Sequence, residues 1–455
     1  MNQSEQVNSK PTLLRGLSLM DSIVVIIGGT VGSGIFLAVS DVAENLTNPL
    51  VFLGVWVLGG FITLLACFAF AELGTMYPAA GGQYIYIREA FGGFVAFLFG
   101  WMSMTVNFAA SGAALTVGFA TYLNEVVPFG AENTLFSIAA FEFTRLHLVA
   151  LLTLSLLCLI NVVGLKRVTT FHDIATWTKF AAIALIVVLG IVIGTGHAEN
   201  LTTVIHKSHP MPVLLAVLLA LNGVFWAYDG WTCLVFVAGE IKNPKRNIPL
   251  ALVIGVLAIS LLYVGINSIY LYAVPLSQIG EQRTIAKSAA VALFSPAAGW
   301  WVSLLIAVSC LGTASVNLFA GARIVYAMAA DGIFFPKLSY IHPRYRTPSL
   351  ALIVLAIWSG LMALSGEYEQ LYTLVMFGIV VFYIVTVVAL FVLRRTQPDV
   401  ERPYRCTGYP VLPAIYIIVT SIWAVAVAYE KPVEALAGTI IVVLGAPLYF
   451  YWKKK

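Results

Sequence analysis

Long apolar runs, parted by short polar breaks, fill this chain almost from end to end. A helix needs about 20 mostly apolar residues to cross the hydrocarbon core of a bilayer, so each run reads as a membrane span. Twelve spans are predicted, the first six at about 22–40, 49–71, 94–122, 146–163, 172–193 and 212–238. The other six lie at about 249–272, 300–328, 348–363, 371–393, 411–428 and 434–452. A membrane β-barrel would instead show short segments of alternating polarity. The expected class is therefore an all-α polytopic membrane protein.

Composition agrees with that pattern. Of 455 residues, 60% are hydrophobic and 10% charged, and mean hydropathy is +0.93. A soluble domain carries nearer to ~25% charge. With the N-terminus inside, 18 Lys and Arg fall on the inner side, from Lys10 and Arg15 through Arg88, Arg394 and Arg395 to Lys453, Lys454 and Lys455. Only five, Arg145, Lys207, Arg283, Lys287 and Lys431, fall outside. This is the bias of the positive-inside rule, and a miscounted middle span would scramble it. The expectation is an inner-membrane protein with both termini cytoplasmic. The net charge of +4 then reports topology, and no nucleic-acid partner is expected, since the basic loops are short and lack interleaved aromatics. The first 20 residues are polar, and no cleavable signal pattern follows them.

Cys67, Cys158, Cys233, Cys310 and Cys406 fall in spans or on the inner side, so no structural disulfide framework is expected. His197, His206 and His209 share one outer loop and read as scattered polar residues rather than a metal site. No HExxH occurs, and GGTVGSG lacks the GKS or GKT ending of a nucleotide loop. Neither an enzyme, a metal nor a cofactor is indicated.

Two spans are irregular. The first reads IIGGTVGSGIF, with Gly28, Gly29, Gly32 and Gly34 near its middle. Small residues there suit tight helix packing, but they equally suit an unwound stretch, tolerable in hydrocarbon only where protein or a polar cavity satisfies the backbone. The sixth span, LLALNGVFWAYDGWTCLVFVAGE, favours the second reading. It places Asp229 mid-span beside Gly230, where a carboxylate is expensive and usually functional. A structural ion pair or a protonated carboxyl is the alternative. Pairing spans one to five (21–193) with six to ten (212–393) sets the two irregular spans at matching positions in oppositely oriented halves, a pointer to a secondary transporter with a central site. Residues 1–20 form an inner tail, and spans eleven and twelve (411–452) serve packing or association.

A half-helix beginning after Gly32–Gly34 offers free N–H groups and a positive dipole end to a carboxylate. Half-helices ending near Val31 and near Trp226–Ala227 offer carbonyls to an ammonium group. An α-amino acid carries both charges within a few atoms.

GGTVGSGIF at 28–36, AELGTMYPAAGGQYIYIREAFG at 71–92, WAYDGW at 226–231 with VFVAGEIKNPKRNIP at 235–249, and NLFAGARIVYAMAADGIFFPKLSYIHPRYRTP at 317–348 occur in that order. Together they resemble the amino acid–polyamine–organocation transporter superfamily, and within it the L-type amino acid transporter branch. The resemblance implies two inverted five-helix repeats with discontinuous helices one and six, two appended helices, and alternating access around an L-amino acid site, commonly as exchange. It implies that Gly32, Ser33 and Gly34 take the substrate carboxylate, with Thr30 and Val31 at the adjoining helix end. Ala227, Tyr228, Asp229 and Gly230 match the unwound sixth helix, and Trp226 the aromatic that closes over substrate. TWTKFAAI at 176–183 resembles the segment whose lysine replaces a sodium ion, which assigns Lys179 that role; snorkelling to the inner surface is its alternative. Transport is therefore expected to need no sodium.

Many relatives carry glycine or serine at the position of Asp229, and some branches accepting cationic substrates carry aspartate. Neutral amino acids are the first expectation, with cationic or broad-range exchange, or proton-coupled amino acid or polyamine transport, as alternatives. The outer loop at about 123–145 lacks the cysteine by which animal members join a glycoprotein, so a stand-alone bacterial transporter without a disulfide-linked heavy chain is expected. Glu72 and Arg88 flank the loop after span two, as candidates for gating or for ordinary packing.

Overall fold

The computed structural model describes residues 15–138, 141–206, 211–282, 284–364 and 368–453. Lys10, Lys207, His209, Arg283, Lys454 and Lys455, named above, lie outside them. The chain runs as α1 (Leu19–Thr30), α2 (Gly34–Leu37), α3 (Val39–Glu44), α4 (Pro49–Met76), α5 (Gln83–Phe91) and α6 (Gly93–Met102). A π-helical turn, Ser103–Asn107, joins α6 to α7 (Phe108–Val126). After a hairpin of β1 (Thr134–Ile138) and β2 (Phe141–Thr144) come α8 (Arg145–Val162), α9 (Leu165–Val192), α10 (Val213–Tyr228), α11 (Cys233–Phe236) and α12 (Pro244–Ala273). Short α13 (Leu276–Ile279) and α14 (Ile285–Leu293) precede α15 (Pro296–Ala330), α16 (Ser349–Ala363), α17 (Tyr368–Thr396), α18 (Val411–Glu430) and α19 (Pro432–Lys453).

Among the described residues, nine helical stretches are long and apolar enough to span a membrane, and three shorter apolar helices accompany them, Leu19–Thr30, Val213–Tyr228 and Ser349–Ala363. Two of those three carry the irregular sequences. The expected span 22–40 is divided into α1, α2 and α3, and the expected span 212–238 into α10 and α11. Besides an isolated parallel bridge between Leu17 and Ile241, the departure from helical structure among the described residues is the antiparallel hairpin, in which Phe136 and Phe143 pair and stack at 4.7 Å.

Helix starts follow local chemistry. Ser18 and Asp21 form a reciprocal capping box on α1, with the Ser18 amide donating to Asp21 at 2.7 Å. Asn48 caps α4 and Ser295 caps α15, each followed by a proline at the first helical position. At their far ends α4 and α15 outrun their apolar cores: Met76 and Ala330 lie beyond the expected ends at 71 and 328.

In the packed interior α7 lies along α15, and α1 is held among α9, α12 and α15. Buried ion pairs tie the elements together. The Glu240 carboxylate accepts from Arg323 at 2.7 and 3.1 Å, both side chains being almost wholly buried. The Glu240 carbonyl accepts from the Gly16 and Leu17 amides, each at 2.9 Å, which ties the start of α1 to the segment after α11. Glu72 and Arg88 do not meet. Glu72 takes Arg394 at 2.6 Å and the Cys406 amide at 2.6 Å, while Arg88 takes Asp331 at 2.6 Å.

Candidate functional site

The two helix breaks touch. After Thr30 the Gly32 amide turns back on the Thr30 carbonyl at 2.8 Å, and helix resumes at Gly34. After Tyr228 the Asp229 amide donates to Trp226 O at 3.2 Å, Gly230 adopts φ +108°, and helix resumes at Cys233. A β-carbon on Gly34 would lie 2.7 Å from Ala227 Cα, and one on Gly230 would lie 2.3 Å from Gly29 O. Only glycine lets the two main chains approach so closely. Tyr263, from α12, sets its hydroxyl 2.8 Å from Ala227 O and 3.2 Å from Thr30 O, straddling both helix ends.

Lys179 does not snorkel. It is 1% exposed, and its ammonium donates to Gly28 O at 2.8 Å, Val31 O at 2.6 Å and Thr313 Oγ1 at 2.9 Å. All three of its donors are used, and they join α9, the end of α1 and α15. Ser309 also donates to Val31 O, at 3.0 Å. This corrects the expectation that the Val31 carbonyl is free for a substrate ammonium: lysine and hydroxyl groups already occupy it.

Beside these breaks lies a hollow. From the irregular spans it is lined by Gly29, Thr30, Gly32, Ser33, Gly34, Trp226, Asp229, Gly230, Thr232 and Cys233, which include seven of the ten residues named from the sequence as substrate-binding. Val31, Ala227 and Tyr228 do not line it. Ala227 backs Gly34, and Tyr228 turns away to donate to Trp56 O at 3.1 Å. Asp229 is a wall residue, and its Oδ1 accepts from the Tyr383 hydroxyl at 2.6 Å.

The remaining wall escaped sequence reasoning. Asn107, Phe108, Ser111 and Leu115 come from α7 and its preceding π turn, and Thr313 and Asn317 from α15. Asn107/Ser111 and Thr313/Asn317 are polar pairs four residues apart, hence on one helix face; such pairs in apolar helices were the available signal. Single π turns also recur at functional sites. Thr30 Oγ1, Ser111 Oγ and Asn317 Oδ1 are buried against the hollow and find no hydrogen-bond partner among the described residues. Buried polar atoms are rarely left so, and a ligand with its own donors and acceptors would satisfy them.

Comparison with known proteins follows the same lines. Residues 17–448 match the family model described as amino acid permease. The human large neutral amino acids transporter small subunit 2 is 30% identical over 449 residues, covering 97% of this chain and 82% of the relative. The human b(0,+)-type amino acid transporter 1 is 28% identical over 441 residues, covering 97% and 88%. The serine/threonine exchanger SteT of Bacillus subtilis (strain 168) is 29% identical over 448 residues, covering 97% and 98%.

Proposed function

The chain belongs to the amino acid permease family, and from that premise we propose that it is a sodium-independent, broad-range L-amino acid exchanger that accepts cationic as well as neutral side chains. It is a multi-pass inner-membrane protein and a secondary amino acid transporter, not an enzyme. Twelve crossings, two inverted five-helix halves and cytoplasmic termini complete the proposed architecture.

The substrate carboxylate meets the start of α2 beside Ser33 and Gly34, where helix starts favour anions; the Gly32 amide is already given to Thr30 O. The Thr30 and Ser111 hydroxyls can donate to it, while Asn317 Oδ1, an acceptor, suits the substrate ammonium, and Trp226 closes over the bound molecule. Lys179 provides, without an ion gradient, the positive charge that holds α1 to α9.

Neutral substrates were the first expectation, and a broad range replaces it. The relatives bear names as different as b(0,+)-type, large neutral and serine/threonine. The single observation that carries the broader reading is that Asp229 lines the same hollow as the broken first helix. A zwitterion seated at the break would extend its side chain along a wall holding one acidic group, which attracts a guanidinium or ammonium. In proteoliposomes arginine and serine should both exchange for internal substrate. Asp229→Asn should lower arginine exchange about tenfold or more and largely spare serine. Exchange of neutral amino acids alone by the wild type would overturn the broad-range reading.

A further inference from the structure

Asp229 is a partition between two hollows. On its far side from the candidate site a smaller hollow lies among α4, α10, α17 and α18. Five aromatic side chains, Phe225, Tyr228, Trp231, Tyr383 and Tyr416, form much of its wall, and Asp229 is the one charged residue among the described residues lining it. Tyr383 is buried against Phe70 and Trp231, with ring centroids 5.9 and 5.5 Å away. Its hydroxyl donates to Asp229 Oδ1 at 2.6 Å and lies 3.1 Å from Thr232 Oγ1. A rigid ring on α17 thus fixes where the carboxylate of the broken helix points.

An ionised carboxylate accepts about four hydrogen bonds; Tyr383 and the Gly230 backbone take part of that capacity and leave the rest open. Aromatic faces edged by one carboxylate are the surroundings that a desolvated guanidinium or ammonium prefers. We propose that this second hollow receives the charged end of a long cationic side chain, and that Tyr383 is the positioning residue that aims Asp229 at it. The proposal rests on the broad-range reading and extends it. Short neutral side chains would end before Asp229 and leave the hollow unused. Its volume here is about 20 Å³, room for roughly one water, so a guanidinium must displace part of the wall. Met376, unbranched and adaptable, is the lining side chain best suited to yield.

Two variants test this in the full-length protein in proteoliposomes. Tyr383→Phe removes only the hydroxyl; Ala66→Leu adds bulk to the hollow from α4. Exchange of labelled arginine and labelled serine would be measured for each, as KM and maximal rate. Tyr383→Phe should raise the arginine KM about tenfold with the serine KM within about twofold of wild type. Ala66→Leu should depress arginine exchange at least as much and spare serine. If Ala66→Leu also loses serine exchange, Tyr383→Phe decides alone. A wild type that exchanges arginine, with Tyr383→Phe leaving its arginine-to-serine preference unchanged or lowering both equally, overturns this proposal and leaves the broad-range reading standing. A wild type that exchanges no arginine overturns the broad-range reading, and the proposal with it.

Discussion

A β-carbon on Gly230 would sit 2.3 Å from the Gly29 carbonyl oxygen at a φ of +108°, so sterics and dihedral both forbid a side chain there. Gly230→Ala should destabilise the protein by about 3 kcal/mol, read as a lower melting temperature in detergent together with lost exchange. Gly54, where an added β-carbon would meet nothing within 4 Å, is the control: Gly54→Ala should melt at or slightly above wild type. Several residues at the two breaks and the hollow beside them were legible because their chemistry is out of place in hydrocarbon. A mid-span carboxylate at Asp229, a lysine at 179 and four glycines in seven residues each demand a reason. Asn107, Ser111, Thr313 and Asn317 were not legible individually, because a lone hydroxyl or amide in an apolar helix often bonds its own backbone, as Thr116 does to Gly112 O. Val31 was misassigned for another reason: that a carbonyl is released at a break can be read from sequence, but which donor captures it depends on residues 148 and 278 positions away.

At the scale of elements, the broken first helix depends on α9. Lys179→Met would leave the Gly28 and Val31 carbonyls without the ammonium they accept from, and unsatisfied buried acceptors cost about 1–3 kcal/mol each. Exchange measured in liposomes should fall at least about tenfold, and Lys179→Arg should not restore it, since a planar guanidinium cannot replace a compact ammonium in that three-acceptor cradle. Retention of wild-type rates by Lys179→Met would detach α9 from the mechanism. Hydropathy marked where apolar helices run, since that signal is summed over some twenty residues. It missed their ends, which depend on single caps such as Ser295 with Pro296, and it missed the π turn at Ser103–Asn107, which involves no break in apolar character.

Across the whole molecule, buried charges bind distant segments together. Arg323 is held between Glu240 and the Phe319 ring, 3.7 Å from its centroid, while the Glu240 main chain anchors the start of α1. Glu240→Gln would leave a wholly buried guanidinium without its counter-charge, a loss on the order of 3–5 kcal/mol. It should lower the melting temperature more than Asp229→Asn does, because Asp229 borders a hollow and has no paired cation among the described residues, whereas Glu240 neutralises Arg323. The central claim concerns the two touching breaks: together they bind an amino acid by its main-chain charges and carry it by exchange. Counterflow in sodium-free proteoliposomes tests that most directly. With unlabelled L-serine or L-arginine inside, uptake of the labelled L-amino acid should be saturable, accelerated many-fold over empty vesicles, and indifferent to added sodium. Uptake that is equal in loaded and empty vesicles, or that begins only when sodium is supplied, would contradict the account.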